Sequence, residues 1–215
     1  MIDLFTKSAR PPIVAILRGI QPTEILAVTE ALLEAGIDAL EVPLNSPDPM
    51  KSIKLAVDRF GDDLPIGAGT VLSESEVTQL ADIGARLVVS PNTDEIVIAA
   101  AARNGMIVLP GAMSPTEIFK ARSAGATGAK LFPARGLGMA FIGDVKSVLP
   151  GDFPLIAVGG VDASNAREWI EAGVDGLGAG SSVYRPGDSA DMVLKRAKAL
   201  IRATTNSKVR SPDTE

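Results

Sequence analysis

The chain has 215 residues, 46% of them hydrophobic and 22% charged, which suits one globular domain with a substantial core; its net charge of -5 leaves no basic surplus for a nucleic-acid partner. It contains no cysteine and no histidine, which excludes disulfides, thiolate nucleophiles, Ser-His-Asp triads and metal sites built on nitrogen or sulfur. Chemistry must therefore run on Lys, Arg, Asp, Glu, Tyr, Ser, Thr or backbone groups, or on magnesium held by carboxylates, and a lysine mechanism passes this filter more comfortably than the metal does.

Residues 2–8 read as a short helix that covers the bottom of the fold. Residues 1–10 lack the apolar centre of a signal peptide, and no apolar run approaches the roughly 20 residues of a membrane span, so a cytoplasmic protein without a membrane partner is expected. Strand one is expected over 13–19 and carries Arg18; an amphipathic helix follows over 23–35. Strand two, over 39–45, alternates: Leu40, Val42 and Leu44 face the helices, while Glu41, Pro43 and Asn45 face the interior. Strand three, over 65–71, ends in Gly67-Ala68-Gly69-Thr70, and a helix is expected over 73–83. Strand four spans 86–91, with Arg86 on its solvated rim and Pro91 at its far end; strand five spans 106–112.

Strand six, over 128–134, holds Lys130 in an apolar run. A charged side chain there is rare unless it is paired or used. It either snorkels to a rim and meets a carboxylate or serves as a nucleophile, because burial favours the neutral amine that attacks a carbonyl. Strand seven, over 155–161, contains Val158-Gly159-Gly160, and strand eight, over 176–183, contains Gly178-Ala179-Gly180-Ser181-Ser182. The intervening helices stop at Gly36, Gly61, Gly84, Gly105, Gly125 and Gly173, where left-handed caps are expected, and Glu34-Ala35-Gly36 is echoed by Glu171-Ala172-Gly173. Eight strand–helix units in a chain this short specify a (β/α)8 TIM barrel as a single domain over 1–203, with residues 204–215 a polar, disordered tail.

Barrel enzymes place their chemistry at the C-terminal ends of the strands. Arg18, Glu41 and Lys130 are the charges inside the expected strands. One reaction uses all three: Lys130 forms an iminium with a ketone, Glu41 moves protons, and Arg18 offers a planar fork to a carboxylate. Glu41 is otherwise a counter-charge for Lys130 or Arg18. Thr70 is a hydroxyl donor at the end of strand three, or else a helix cap. The glycine-rich ends of strands seven and eight, with a helix N-terminus from Ser181, suit a phosphate, though glycine also serves tight turns.

Glu41-Val42-Pro43-Leu44-Asn45-Ser46-Pro47, Ile66-Gly67-Ala68-Gly69-Thr70-Val71, Lys130-Leu131-Phe132-Pro133 and Ala157-Val158-Gly159-Gly160-Val161 together resemble the 2-keto-3-deoxy-6-phosphogluconate aldolase family, over nearly the whole chain from Ile13 to Ile201. The resemblance implies a trimeric barrel acting as a metal-independent class I aldolase without a cofactor, with Lys130 as the Schiff-base lysine and Glu41 as the general acid/base. Its partners would be pyruvate and a phosphorylated keto-deoxy sugar acid. Arg18, Thr70, Pro91 and Phe132 would meet the pyruvate and carboxylate portion, and Gly159, Gly160, Gly180 and Ser181 the phosphate. Pro43-Leu44-Asn45 stands where the gluconate enzymes typically carry Thr-Leu-Arg. With Arg18 and Val158, it resembles the branch acting on 2-dehydro-3-deoxy-6-phosphogalactonate, which makes Val158, Pro43 and Asn45 the specificity residues. The alternatives are a gluconate or dual-epimer aldolase, a divalent-metal pyruvate aldolase built on Glu41 and an aspartate, and a phosphosugar-binding barrel without catalysis.

Overall fold

The protein is described by a computed structural model covering residues 4–5 and 10–205. Among them, nine short parallel strands form one sheet: β1 (Ile13–Ile16), β2 (Ala39–Pro43), β3 (Ile66–Gly69), β4 (Leu87–Val89), β5 (Ile107–Leu109), β6 (Gly111–Ala112), β7 (Ala129–Leu131), β8 (Leu155–Val158) and β9 (Gly176–Ala179). Their order, β5-β4-β3-β2-β1-β9-β8-β7-β6, ends on two pieces of one stretch of chain, so the sheet closes on itself. The expected fifth strand is split at Pro110, which has no N–H to give a ladder. Its first half pairs with β4 and its second with β7. Counted as one, the two halves bring the nine strands to the eight of a (β/α)8 barrel.

The helices α1 (Ile25–Ala35), α2 (Pro49–Phe60), α3 (Glu74–Asp82), α4 (Glu95–Arg103), α5 (Pro115–Ser123), α6 (Ala134–Leu137), α7 (Ala140–Lys146), α8 (Ala166–Glu171) and α9 (Ala190–Thr205) return the chain from strand to strand. Strand alternation divides the core as the period of two requires. Ile13, Ala15, Leu40, Val42, Leu155 and Ala157 pack outward under the helices. Val14, Ala39, Leu87, Val89, Leu109, Ile156 and Val158 fill the barrel interior, joined by Leu4 from the N-terminal segment. Leu4 and Phe5 form part of a turn; the rest of the helix expected over 2–8 lies outside the described residues.

The sequence echo has a structural meaning. Asp38 follows Ala35-Gly36-Ile37, and its carboxylate accepts from the amide of Ile13, at the start of β1, at 2.8 Å and from Arg10 at 2.7 Å. Asp175 follows Ala172-Gly173-Val174 and accepts from the amide of Leu155, at the start of β8, at 2.8 Å and from Lys146 at 2.8 Å. In both places a helix-ending glycine delivers an aspartate that ties off the first amide of the strand before it.

Several expectations need correction. The strands end earlier than the apolar pattern suggests, because Gly and Pro turn the chain into loops at the barrel mouth. Arg18 lies beyond β1, in the turn that leads to α1. Ser181 does not open a helix: Val183 and Tyr184 donate to the Gly180 carbonyl at 2.9 and 3.0 Å and close a single turn. Gly61 keeps right-handed helical geometry, with φ of -61°, while Gly36, Gly84, Gly105, Gly125 and Gly173 all take positive φ. Thr204 and Thr205, assigned to the tail, complete α9, and residues 206–215 lie outside the described residues.

Candidate active site

Lys130 is the central residue of β7 and is 7% exposed. Its backbone amide donates to the Pro110 carbonyl at 2.8 Å, so the break in the neighbouring strand also fixes the level at which the lysine leaves the wall. The Nζ atom lies 4.6 Å from the centroid of the Phe132 ring. Burial pushes its pKa below the ordinary 10.5; the Glu41 carboxylate pulls it back up and the Arg18 guanidinium helps to lower it.

Glu41, in β2, points into the same interior and is 2% exposed. Burial lifts its pKa from 4.5 to about 7, against the opposing pull of Lys130 and Arg18. Its Oε2 has no hydrogen-bond partner among the described residues. The carboxyl group rests against the backbone of β3, and a Cβ on Gly69 would stand 1.8 Å from Oε2. Only glycine leaves room for it there. Sequence reasoning singled out Thr70 and overlooked this role of its neighbour, since a glycine in a strand gives no hint of which side chain lies over it.

A small cavity of about 10 Å³ sits on the barrel axis, lined by Glu41, Lys130, Ile16, Val89, Leu109, Ile156, Val158 and Gly178 among others. A second cavity, of about 660 Å³, opens at the C-terminal mouth. Its wall contains Arg18, Phe132, Val158, Gly159, Gly160, Gly180 and Ser181, all of them expected from the sequence. The two cavities share Ile16, Val158 and Gly178 as a common partition. Val158, 6% exposed, therefore stands between the lysine and the open mouth.

Gly159 and Gly160 both have positive φ, of 105° and 83°, which turns the chain sharply after β8 and brings its backbone to the cavity wall. Arg18 is exposed and donates from Nη1 to Asn45 Oδ1 at 2.8 Å. Thr70, half-buried at the end of β3, takes a φ of 58°, a rare conformation for a β-branched residue that marks a locally constrained site. Pro43, buried at the end of β2, and Pro91, half-buried just past β4, belong with Thr70 to the same rim but not to the wall of the large cavity. The cavity also contains Arg135, Asp162, Ser164, Ser182, Arg185 and Arg196, which sequence reasoning did not select. Arg135, five places after Lys130, could have been found by asking which loop follows that strand; the others depend on how the last two βα loops fold. Among the described residues no group of three or more acidic side chains is placed to hold a metal ion.

The arrangement combines a buried amine, a carboxyl group that ionises near neutrality and an arginine-lined mouth. It can therefore capture a carbonyl, move protons and receive anions. A family model for the KDPG and KHG aldolases matches residues 4–195. The probable 2-dehydro-3-deoxy-6-phosphogalactonate aldolase of Rhizobium meliloti (strain 1021) is 48% identical over 192 residues, spanning 89% of this chain and 91% of that protein. The 2-dehydro-3-deoxy-6-phosphogalactonate aldolase of Escherichia coli (strain K12) is 46% identical over 192 residues, spanning 89% and 94%. The solved native KDPGal structure superposes with a TM-score of 0.89 at 45% identity, covering 91% of this chain and 95% of that one.

Proposed function

The chain belongs to the KDPG and KHG aldolase family, and on that premise we propose that it cleaves 2-dehydro-3-deoxy-6-phosphogalactonate to pyruvate and D-glyceraldehyde 3-phosphate through a Schiff base on Lys130. The observation that carries this reading is the burial of Lys130 and Glu41 together on the barrel axis, behind a cationic, glycine-walled mouth.

In its neutral form Lys130 Nζ attacks the C2 ketone, and loss of water from the carbinolamine leaves an iminium. Glu41, poised by burial to ionise near pH 7, takes the proton of the C4 hydroxyl. The C4–O bond becomes a carbonyl, the C3–C4 bond breaks, and its electron pair flows into the iminium to give an enamine. Protonation at C3 and addition of water then release pyruvate and restore the amine. The iminium is the electron sink, so this route needs no Lewis acid. Arg18, held by Asn45, receives the C1 carboxylate, with Thr70, Pro91 and Phe132 shaping the pyruvate portion. Gly159, Gly160, Gly180 and Ser181 seat the phosphate.

The galactonate epimer is favoured by the two relatives at 46% and 48% identity and by the apolar surroundings of the reacting carbon. Val158 and Pro43 offer no hydrogen bond to the C4 hydroxyl, so the epimer that needs a donor there is disfavoured, though not excluded, because water or Glu41 still reaches it. The enzyme works as a cytoplasmic homotrimer.

Borohydride reduction in the presence of pyruvate, followed by peptide mass spectrometry, tests the chemistry: the reduced adduct should sit on the peptide containing Lys130. An adduct on another lysine, or none, sinks the assignment. Comparing kcat/KM on the two epimers tests the substrate, and a clear preference for the gluconate form overturns it.

A further inference from the structure

The glycine seat for the phosphate is neutral, yet the cavity around it carries more positive charge than the described carboxylates balance. Arg196 is neutralised by an ion pair with Asp188. Arg135 and Arg185 line the same cavity, and neither is in an ion pair among the described residues. The acidic residue of the wall, Asp162, accepts from the amide and hydroxyl of Ser164 on Oδ1, at 2.8 and 2.5 Å, and feels the charge of Arg135 without forming an ion pair with it, which leaves one carboxylate facing two arginines.

Each of these two arginines is placed by the seat itself. Arg135 leaves the first turn of α6, directly after the Lys130 strand, and its guanidinium lies across Gly160, where a Cβ would stand 2.6 Å from Nε and 2.8 Å from Nη2. A side chain at position 160 would push it away. On the β9 side, Arg185 donates from Nε to the Ser181 carbonyl at 3.0 Å, which aligns its fork with the second glycine-rich loop. Next to Ser181, the hydroxyl of Ser182 is buried without a hydrogen-bond partner among the described residues, although its residue lines the cavity. Two forked cations and an unused hydroxyl thus attend the two loops that were expected to hold a phosphate by backbone alone.

We infer that Arg135 and Arg185 form a two-sided clamp that reads the charge of the substrate's phosphate, making them specificity-determining residues for 6-phosphorylated over non-phosphorylated keto-deoxy sugar acids. This rests on the aldolase reading above. A phosphate monoester carries close to two negative charges at neutral pH and offers three acceptor oxygens, which suit two planar guanidinium forks better than one. Neither arginine lines the small cavity at Lys130 and Glu41, so the clamp contributes to the capture and seating of the distal end and to discrimination.

The test is the ratio of kcat/KM for the 6-phosphorylated acid to that for the same acid without phosphate, in wild type, Arg135→Gln and Arg185→Gln, with pyruvate release as the readout. Each variant should lower the ratio by roughly 10- to 100-fold, the loss of a charge-assisted hydrogen bond, mainly by raising KM for the phosphorylated acid. Arg135→Lys should recover part of it, since lysine keeps the charge and loses the fork. An unchanged ratio, or an equal fall on both acids, overturns the clamp. Calorimetric titration with inorganic phosphate separates this inference from the aldolase reading. If wild type cleaves neither acid, that reading fails, while phosphate binding that is present in wild type and weakened in both variants still supports the clamp. If wild type binds no phosphate, or both variants bind it as wild type does, the clamp is overturned.

Discussion

The ionisation of Lys130 is set by a competition between groups that act in opposite directions. Burial lowers its pKa most, Glu41 opposes that lowering, and Arg18 adds to it. Replacing Glu41 with Gln removes the carboxylate, so the pH at which pyruvate becomes trappable on Lys130 should move down, while turnover falls roughly 10²- to 10⁴-fold for want of a proton carrier. Replacing Arg18 with Gln should move the same limb up. Rates of borohydride trapping measured across pH decide both signs, and parallel shifts in the two variants would contradict this account. Lys130 and Glu41 were legible in the sequence as buried charges, because charges in apolar strands are costly and therefore conspicuous, whereas Arg18, singled out on the same ground, lies in an exposed turn past β1. Gly69, Arg135 and Ser182 were not, since their importance depends on which group the folded chain lays beside them.

At the scale of elements, the order of strands and helices was legible in the sequence from periodicity and from glycines at helix ends. Their exact lengths were not. Runs of about seven residues continue past the last ladder bond, and glycine, which turns the chain out of them, also stands inside β3 and β9, so its presence does not mark where pairing stops. The paired aspartates are the clearest case of a sequence echo with a physical cause. Ile13 and Leu155 are wholly buried, so removing the acceptor of either amide leaves an unpaired donor inside the protein. Asp38→Ala and Asp175→Ala should each destabilise the fold by about 1–3 kcal/mol, measured as a shift of the urea midpoint. A change below about 0.5 kcal/mol would mean that water replaces the carboxylate at no cost.

For the whole molecule, burying Glu41 links stability to pH. Its folded pKa of about 7 exceeds the ordinary 4.5, so between those values the folded protein binds more proton than the unfolded chain does, and this contribution to stability is lost as pH rises through that window. Lys130 acts in the opposite sense below 10.5, where the unfolded chain holds the extra proton and stability rises with pH. Urea titrations at a series of pH values should show a steeper decline between pH 4.5 and 7 in wild type than in Glu41→Gln. Equal slopes would remove Glu41 as the cause. The break at Pro110 also bears on self-association through strands. An open sheet ends in rows of unpaired amides and carbonyls that can template pairing with another chain. Here both ends of the sheet are consecutive pieces of one stretch of chain, and the residue that joins them has no amide to offer. Among the described residues no strand edge is left to extend into a neighbouring copy, so any contact between copies would have to use side chains on helices and loops, and edge-to-edge strand pairing, the usual route to fibrous aggregation, has no template in this sheet.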